Sequence, residues 1–172
     1  MKQMDIKEKT YQFKELSPEA QDVAIEEMAD INLDGEFYAE STIDEAKTLG
    51  IDITDYDLYH LSIGGKFTES AEDVASKIVA EHGQTCGTYK TASQYLKELS
   101  TLKDGIADMD DEDIDTEDID REFLHSILQD YLYLLRREYE YMGSREAIIE
   151  TIEANEYAFF EDGKRIHNIV AK

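Results

Sequence analysis

EDIDREFLHSILQDYLYLLRREYEYM, residues 117–142, decides the fold. Leu124, Ile127, Leu128, Tyr131, Leu134 and Leu135 recur at the i, i+3, i+4, i+7 spacing of one helix face, and neither glycine nor proline interrupts the run. The segment therefore predicts one long central helix, the spine of a core. Downstream, Gly143 breaks it and Ser144 caps a further helix lasting to about Asn155. Tyr157–Phe160 then reads as a strand, turned by Asp162-Gly163 into Arg165–Val170.

Upstream, two helices are expected over Ser70–Glu81 and Thr88–Leu102. The first carries a capping box from Ser70 to Asp73; the second spaces Tyr89, Ala92, Tyr95, Leu96 and Leu99 along one face. Ile51–Phe67 alternates in two runs, IDITDYDLYH and LSIGGKF, which predict two strands with a turn or bulge near Gly64-Gly65. Another helix is expected over Gly35–Leu49, stopped by Gly50 in the left-handed conformation. Nearer the start, Thr10–Lys14 reads as a short strand. Ser17 and Pro18 supply an N-cap and a first helical residue for a helix to about Ile31, whose apolar face is Ala20, Val23, Ala24, Ile25 and Met28. The expected class is α+β, mainly helical with a small antiparallel β-sheet, as a single domain over residues 1–172 with an acidic connector at 103–116.

The 172 residues hold 41 acids against 17 bases, a formal charge of −24. The excess is concentrated. Glu19–Asp57 contains thirteen acids and one lysine, Asp104–Asp120 ten acids and no base, so 22 of the 24 net negative charges lie in two blocks. Such a chain has no basic stripe to displace counterions from phosphates, which excludes direct nucleic-acid binding. It also lacks an apolar run long enough to span a bilayer, and an acidic body is repelled by anionic lipid. The single cysteine, Cys86, cannot form an internal disulfide, and the charged start MKQMDIKEK has no signal-peptide centre; both point to the cytoplasm.

Three stretches carry a resemblance: YQFKELSPEAQDVAIEEMADIN (11–32), GKFTESAEDVASKIVAEHGQTCGTYKTASQYLKEL (65–99) and LLRREYEYMGSREAIIETIEANEYAFFEDGKRI (134–166). Together they resemble a family of small acidic accessory proteins encoded by bacteriophages and prophages, sometimes labelled antitoxin-like. The resemblance covers most of the chain outside the acidic connector, and its closing block is the most distinctive. It implies a viral origin and action in a bacterial host. It carries over no catalytic residue. Accessory phage proteins of this size include inhibitors of host defence, such as anti-CRISPR and anti-restriction proteins, which is an argument from class and not from residues.

Several constellations invite chemistry. On the helix after Ser17, Glu19, Asp22, Glu26 and Asp30 fall at i, i+3, i+7 and i+11, and one helical turn rises about 5.4 Å. Carboxylates on successive turns can approximate a phosphate row, so this face is a candidate for occupying a basic groove. The bland reading is a solvated outer face. The run Asp108, Asp110, Asp111, Glu112, Asp113 and Asp115 resembles a calcium loop, but the sixth and twelfth positions from Asp108 are Asp113 and Ile119, where an EF-hand needs Gly and Glu. It reads as a docking loop or plain solvation, with no metal. His82 and Cys86 have half of a zinc spacing without a second pair, so Cys86 reads as a small buried apolar residue. Tyr133 and Arg137 form a Tyr-Arg surface typical of interfaces, or else pack within the domain.

No acid, base and nucleophile set stands out, so no enzyme and no cofactor are expected. The leading expectation is a binding protein that inhibits a host protein with a basic nucleic-acid-binding surface, by mimicking nucleic acid. The alternative is an antitoxin-like or regulatory interaction module acting through Tyr133 and Arg137.

Overall fold

A computed structural model describes residues 9–106 and 114–167. Among them are six α-helices and two two-stranded antiparallel sheets, so the fold is mainly helical α+β. In chain order these are β1 (Tyr11–Gln12), α1 (Pro18–Glu27), α2 (Phe37–Thr48), β2 (Ile51–Asp57), β3 (Ser62–Phe67), α3 (Ala71–Glu81), α4 (Gly87–Gly105), α5 (Glu117–Met142), α6 (Arg145–Ala154) and β4 (Ala158–Phe159). The chain divides into two compact units: Met1–Tyr38 with Tyr139–Lys172, and Ala39–Glu138. Each unit has its own core.

In the first unit, Phe13, Leu16, Ala24, Met28, Ile148, Ile152 and Phe159 pack together. The expected strand over Thr10–Lys14 shrinks to two residues. Phe13–Glu15 instead coil into a 3-10 turn, which brings Phe13 edge-on to Phe159 at 6.3 Å between ring centres. Ser17 caps α1 as expected, its hydroxyl accepting from the Ala20 amide at 3.2 Å. The helix stops at Glu27 and not near Ile31. Asn32 explains the early end: its side-chain amide donates to the Met142 carbonyl at 3.1 Å and accepts from the Thr151 hydroxyl at 2.6 Å, contacts that require the chain to turn. Val23, expected in the core, is 40% exposed.

The closing strand also finds an unexpected partner. β4 pairs with β1, Tyr11 opposite Phe159, so the chain's two ends share one small sheet. The expected turn is there too: Phe160 N–H donates to Lys164 O and Gly163 N–H to Phe160 O, with a single bridge between Phe159 and Arg165. Gly163 has φ +88°, and a Cβ built on it would lie 2.1 Å from the Ala20 carbonyl oxygen. Only glycine fits there.

In the second unit, Leu49, Ile51, Val74, Ile78, Ala92, Tyr95, Leu99, Phe123, Ile127 and Tyr131 form the core. Thus α5 is the spine that the sequence predicts, with Leu124 and Leu134 only half-buried. Gly50, at φ +91°, ends the helix before β2. The β2–β3 hairpin carries its irregularity on the strand opposite the glycines: Ile53 pairs with Gly65 and Asp55 with Gly64, leaving Thr54 as the extra residue of a bulge. A Cβ at Gly65 would lie 2.9 Å from Leu128 Cδ2, so the missing side chain lets α5 seat on the hairpin. Ser70 caps α3, accepting from Asp73 N–H, while its hydroxyl donates to the Asp73 carboxylate at 2.7 Å. Helix α4 runs to Gly105, which shortens the expected connector from its start; residues 107–113 lie outside the described ones.

At the hairpin tip, the Asp57 carboxylate accepts from the Tyr59 and His60 amides at 2.8 Å and faces His60 Nδ1 at 2.7 Å. The side-chain bond to His60, then its amide, holds Asp57 below its usual value of 3.8. A depressed carboxylate contributes order that is present above the unfolded value and lost as pH falls through the folded one. The amide resonances of Tyr59 and His60 are expected to shift together below pH 3.8, and an unchanged tip there would refute the bond. Gly163→Ala should destabilise the first unit by more than about 2 kcal/mol in denaturant unfolding, through a backbone clash and a positive φ. Gly105→Ala, where a Cβ meets nothing within 4 Å, should be neutral or stabilising by up to about 1 kcal/mol.

Candidate functional site

The acidic helix of the first unit is less uniform than its spacing suggests. Glu19, Asp22 and Glu26 are all exposed on α1. Asp22, however, faces Arg145 of α6 at 2.7 Å, a surface pair that cancels its charge locally. Asp30 lies beyond the end of the helix, in the turns that follow, so it does not continue the row. Glu19 and Glu26 have no ion-pair partner among the described residues. In the same unit Glu27, Asp30 and Asp34 line a cleft of about 760 Å³ together with Arg165 and His167, and its apolar wall is Met28, Ile31 and Leu33. Glu27 is partly occupied, accepting from the Arg165 amide at 2.9 Å.

Of the second acidic block, Asp108, Asp110, Asp111, Glu112 and Asp113 lie outside the described residues. Asp115 is exposed and its carboxylate accepts from the Glu117 amide at 3.0 Å, at the start of α5. Two further acids of this block have side-chain partners. Asp118 pairs with Arg121, and Asp120 accepts the Tyr95 hydroxyl at 2.6 Å and the Thr116 hydroxyl at 2.8 Å. Burial first, and then the Asp120 carboxylate, push the Tyr95 hydroxyl well above its usual range.

Tyr133 and Arg137 lie on α5 in the second unit, one turn apart, and both are exposed. Tyr133 is 62% exposed, so it is not packing within the unit, and the Arg137 guanidinium lies 5.8 Å from its ring centre. Both line a second cleft, of about 640 Å³, together with Glu45, Glu81, His82 and Asp130. Cys86 is on its rim, exposed and not buried as the lone-cysteine argument supposes. It stands at the N-cap of α4 without a side-chain capping bond. No three His, Cys, Asp or Glu side chains among the described residues are grouped to hold a metal ion.

One residue lining this cleft, His82, is nearly buried. His82 has a side chain 10% exposed, its Nδ1 2.6 Å from the Thr88 hydroxyl, while Nε2 makes no hydrogen bond. Glu45 Oε1 is 3.4 Å from that nitrogen, close enough for charge attraction but without hydrogen-bond alignment. Tyr131, behind this surface in the core of the unit and not in the cleft lining, is fully buried, and its hydroxyl has no hydrogen-bond partner. Burial raises that hydroxyl's pKa, and after it the charges of Glu45, Asp130 and Glu81, all of which line the cleft. Asp130 is itself anchored, accepting the Thr91 hydroxyl at 2.6 Å. Sequence spacing cannot find this set, because its members come from four helices and the His82–Gly87 turn.

Compared with protein-family models, curated proteins and solved structures, the chain finds no match. Function has to be argued from these two surfaces. Tyr131→Phe removes an unsatisfied buried hydroxyl and should leave stability unchanged or raise it by up to about 1 kcal/mol, whereas Tyr95→Phe, which loses a bond to a carboxylate, should cost about 1–3 kcal/mol. Urea unfolding midpoints of the two variants test this; equal losses would contradict the assignment of partners.

Proposed function

We propose that the protein is a phage-encoded, non-enzymatic inhibitor that acts in the host cytoplasm, blocking a host defence protein by occupying its basic nucleic-acid groove. One observation carries the reading: Glu19 and Glu26 stand exposed on α1 without an ion-pair partner among the described residues. Seven residues of helix separate the two glutamates, about 10 Å, a distance commensurate with a few phosphate steps. Asp115 and the acidic run before it add charge that no basic residue in their segment offsets. An electronegative surface of this kind is drawn to a cationic groove by the same long-range field that steers DNA. The Asp22–Arg145 pair narrows the row without reversing its sign, because Arg145 meets only one of its acids.

The exposure of Tyr133 and the nearby Arg137 guanidinium favours a second reading, an antitoxin-like or regulatory module binding a protein partner through that surface. Rigid aromatic area beside a forked donor is the usual composition of an interface anchor.

A salt series separates the two. Host proteins retained on the immobilised chain, identified by mass spectrometry, should be nucleic-acid binders that elute with added salt or duplex DNA. Glu19→Lys with Glu26→Lys should cut their retention by about tenfold or more, since like charges across an interface cost several kcal/mol. Retention that ignores salt and DNA but falls with Tyr133→Ala and Arg137→Ala would overturn mimicry in favour of the Tyr-Arg module.

A further inference from the structure

The β2–β3 hairpin is a sheet of two strands, so each strand has an outer edge that pairs with no other strand among the described residues. The two edges are guarded differently. On β2 the bulge at Thr54 breaks the regular spacing, and Asp52, Asp55 and Asp57 set carboxylates along the strand. Bulges and charges are the usual devices against edge-to-edge pairing. On β3 there is no extra residue, no proline and no acid, and its one charge is Lys66. Among the described residues, no hydrogen bond from outside the hairpin reaches the backbone of Ser62–Phe67. The outward N–H and C=O groups of β3 therefore form an open template for another strand.

Side chains and charge say which strand fits. Ile63 and Phe67 pack on the core of the unit yet stay only half-buried, and Gly65 between them faces Leu128. These three alternate along one face of β3, so its edge offers apolar surface beside the free backbone. From Leu58 to Thr68 the chain has no acid. A protein with a net charge of −24 repels its own copies almost everywhere, and an acid-free edge is where two of them can approach. A foreign basic strand would be drawn to the carboxylates of β2 instead, where the bulge disfavours regular pairing.

We infer that β3 pairs antiparallel with β3 of a second copy of this chain, making one four-stranded sheet in the order β2-β3-β3-β2. Residues directly opposite each other in such a pair lie on the same face, so a two-fold axis through Gly65 sets Ile63 against Phe67 of the second copy, twice. The same register sets Ser62 against Thr68. Glycine at the axis keeps the centre of the seam free of side chains. The two acidic β2 strands become the outer strands, three strand spacings or about 14 Å apart, which exceeds the Debye length of about 8 Å at physiological salt. A seam of six residues a side falls short of the about 1,000 Å² of a standard interface, so the dimer is a weak one. The inference rests on neither reading of the preceding subsection, because it uses no residue of α1 and neither Tyr133 nor Arg137.

Sedimentation equilibrium of the full chain tests it. A monomer–dimer equilibrium is expected at concentrations up to about 1 mM, as suits a small interface. Raising NaCl from about 0.05 M to about 0.5 M should strengthen it, because salt screens the repulsion between two acidic bodies. Ser62 and Thr68 are both exposed, so variants there keep the fold. Ser62→Lys with Thr68→Lys opposes like charges twice across the seam, whereas Ser62→Lys with Thr68→Glu opposes unlike ones. The first pair should dimerise about tenfold more weakly than the second. General repulsion predicts the reverse order, since the first pair carries the smaller net negative charge. Amide hydrogen exchange supplies a second readout: protection of alternate amides of Ser62–Phe67 should rise with protein concentration while the outer edge of β2 stays unchanged. A chain that remains monomeric at about 1 mM in about 0.5 M NaCl overturns the inference. A dimer indifferent to the two charge pairs, or one whose new protection lies outside β3, overturns it as well.

Discussion

The Phe123 ring is the point on which the second unit turns. It stacks on Tyr95 of α4 at 4.4 Å and lies 5.2 Å from Phe67 at the end of β3, so a single side chain of α5 joins a helix and the hairpin. Tyr95 is fixed at its other end by its hydrogen bond to Asp120, one turn before Phe123 on the same helix. Stacked aromatic pairs add about 0.5–1.5 kcal/mol beyond the area they bury, and they do so in a defined geometry. That geometry sets the register of α4 against α5. The register in turn brings Thr91 to Asp130 and the start of α4 to the cleft, so the polar site inherits its shape from an apolar stack.

Local signals carried most of this fold in the sequence. The stripe of α5, the serines before α1, α3 and α6, and the glycine at 50 are each decided within a few residues, and each is found as the sequence implies. What escaped was decided at long range. Nothing in Tyr157–Phe160 announces that β4 will pair with Tyr11–Gln12, more than a hundred residues earlier. The end of α1 depends on Asn32 reaching Met142 and Thr151, and a single amide cannot be weighed against helix propensity without knowing those partners. Val23 shows the complementary failure: its apolar character fits the helix face, but the packed stripe is filled by Ala20, Ala24 and Met28.

The same division holds for the candidate sites. Charge could be located by counting, and the exposed carboxylates of α1 are where the count puts them. Whether each charge is free could not, since Arg145 and Arg165 reach α1 from the far end of the chain. The spacing of His82 and Cys86 suggested half a metal site and was discounted for want of a second half. Both instead line a cleft together with Glu45 and Asp130, which no motif links. Tyr131 was legible as a core residue from its place in the stripe, and it is one; its unpaired hydroxyl belongs to the three-dimensional arrangement alone.

The bulge at Thr54 has a consequence for how this gene can vary. Ahead of it the inward positions of β2 are odd-numbered, Ile51 and Ile53, opposite Phe67 and Gly65; beyond it the inward position is Tyr56, opposite Ile63. The extra residue thus works as a phase correction between two halves of one strand. A regular ladder with every residue kept would turn the acids at 55 and 57 toward the core and Tyr56 away from it, whereas a one-codon deletion of Thr54 straightens the strand and leaves Tyr56 on the face of Ile51 and Ile53. Length is therefore constrained more tightly in the regular part of β2, between Ile51 and Ile53, than at the bulge itself. Surviving length variation in this hairpin should be confined to the extra residue of the bulge and to the turn at residues 58–61, where no ladder has to be kept in phase.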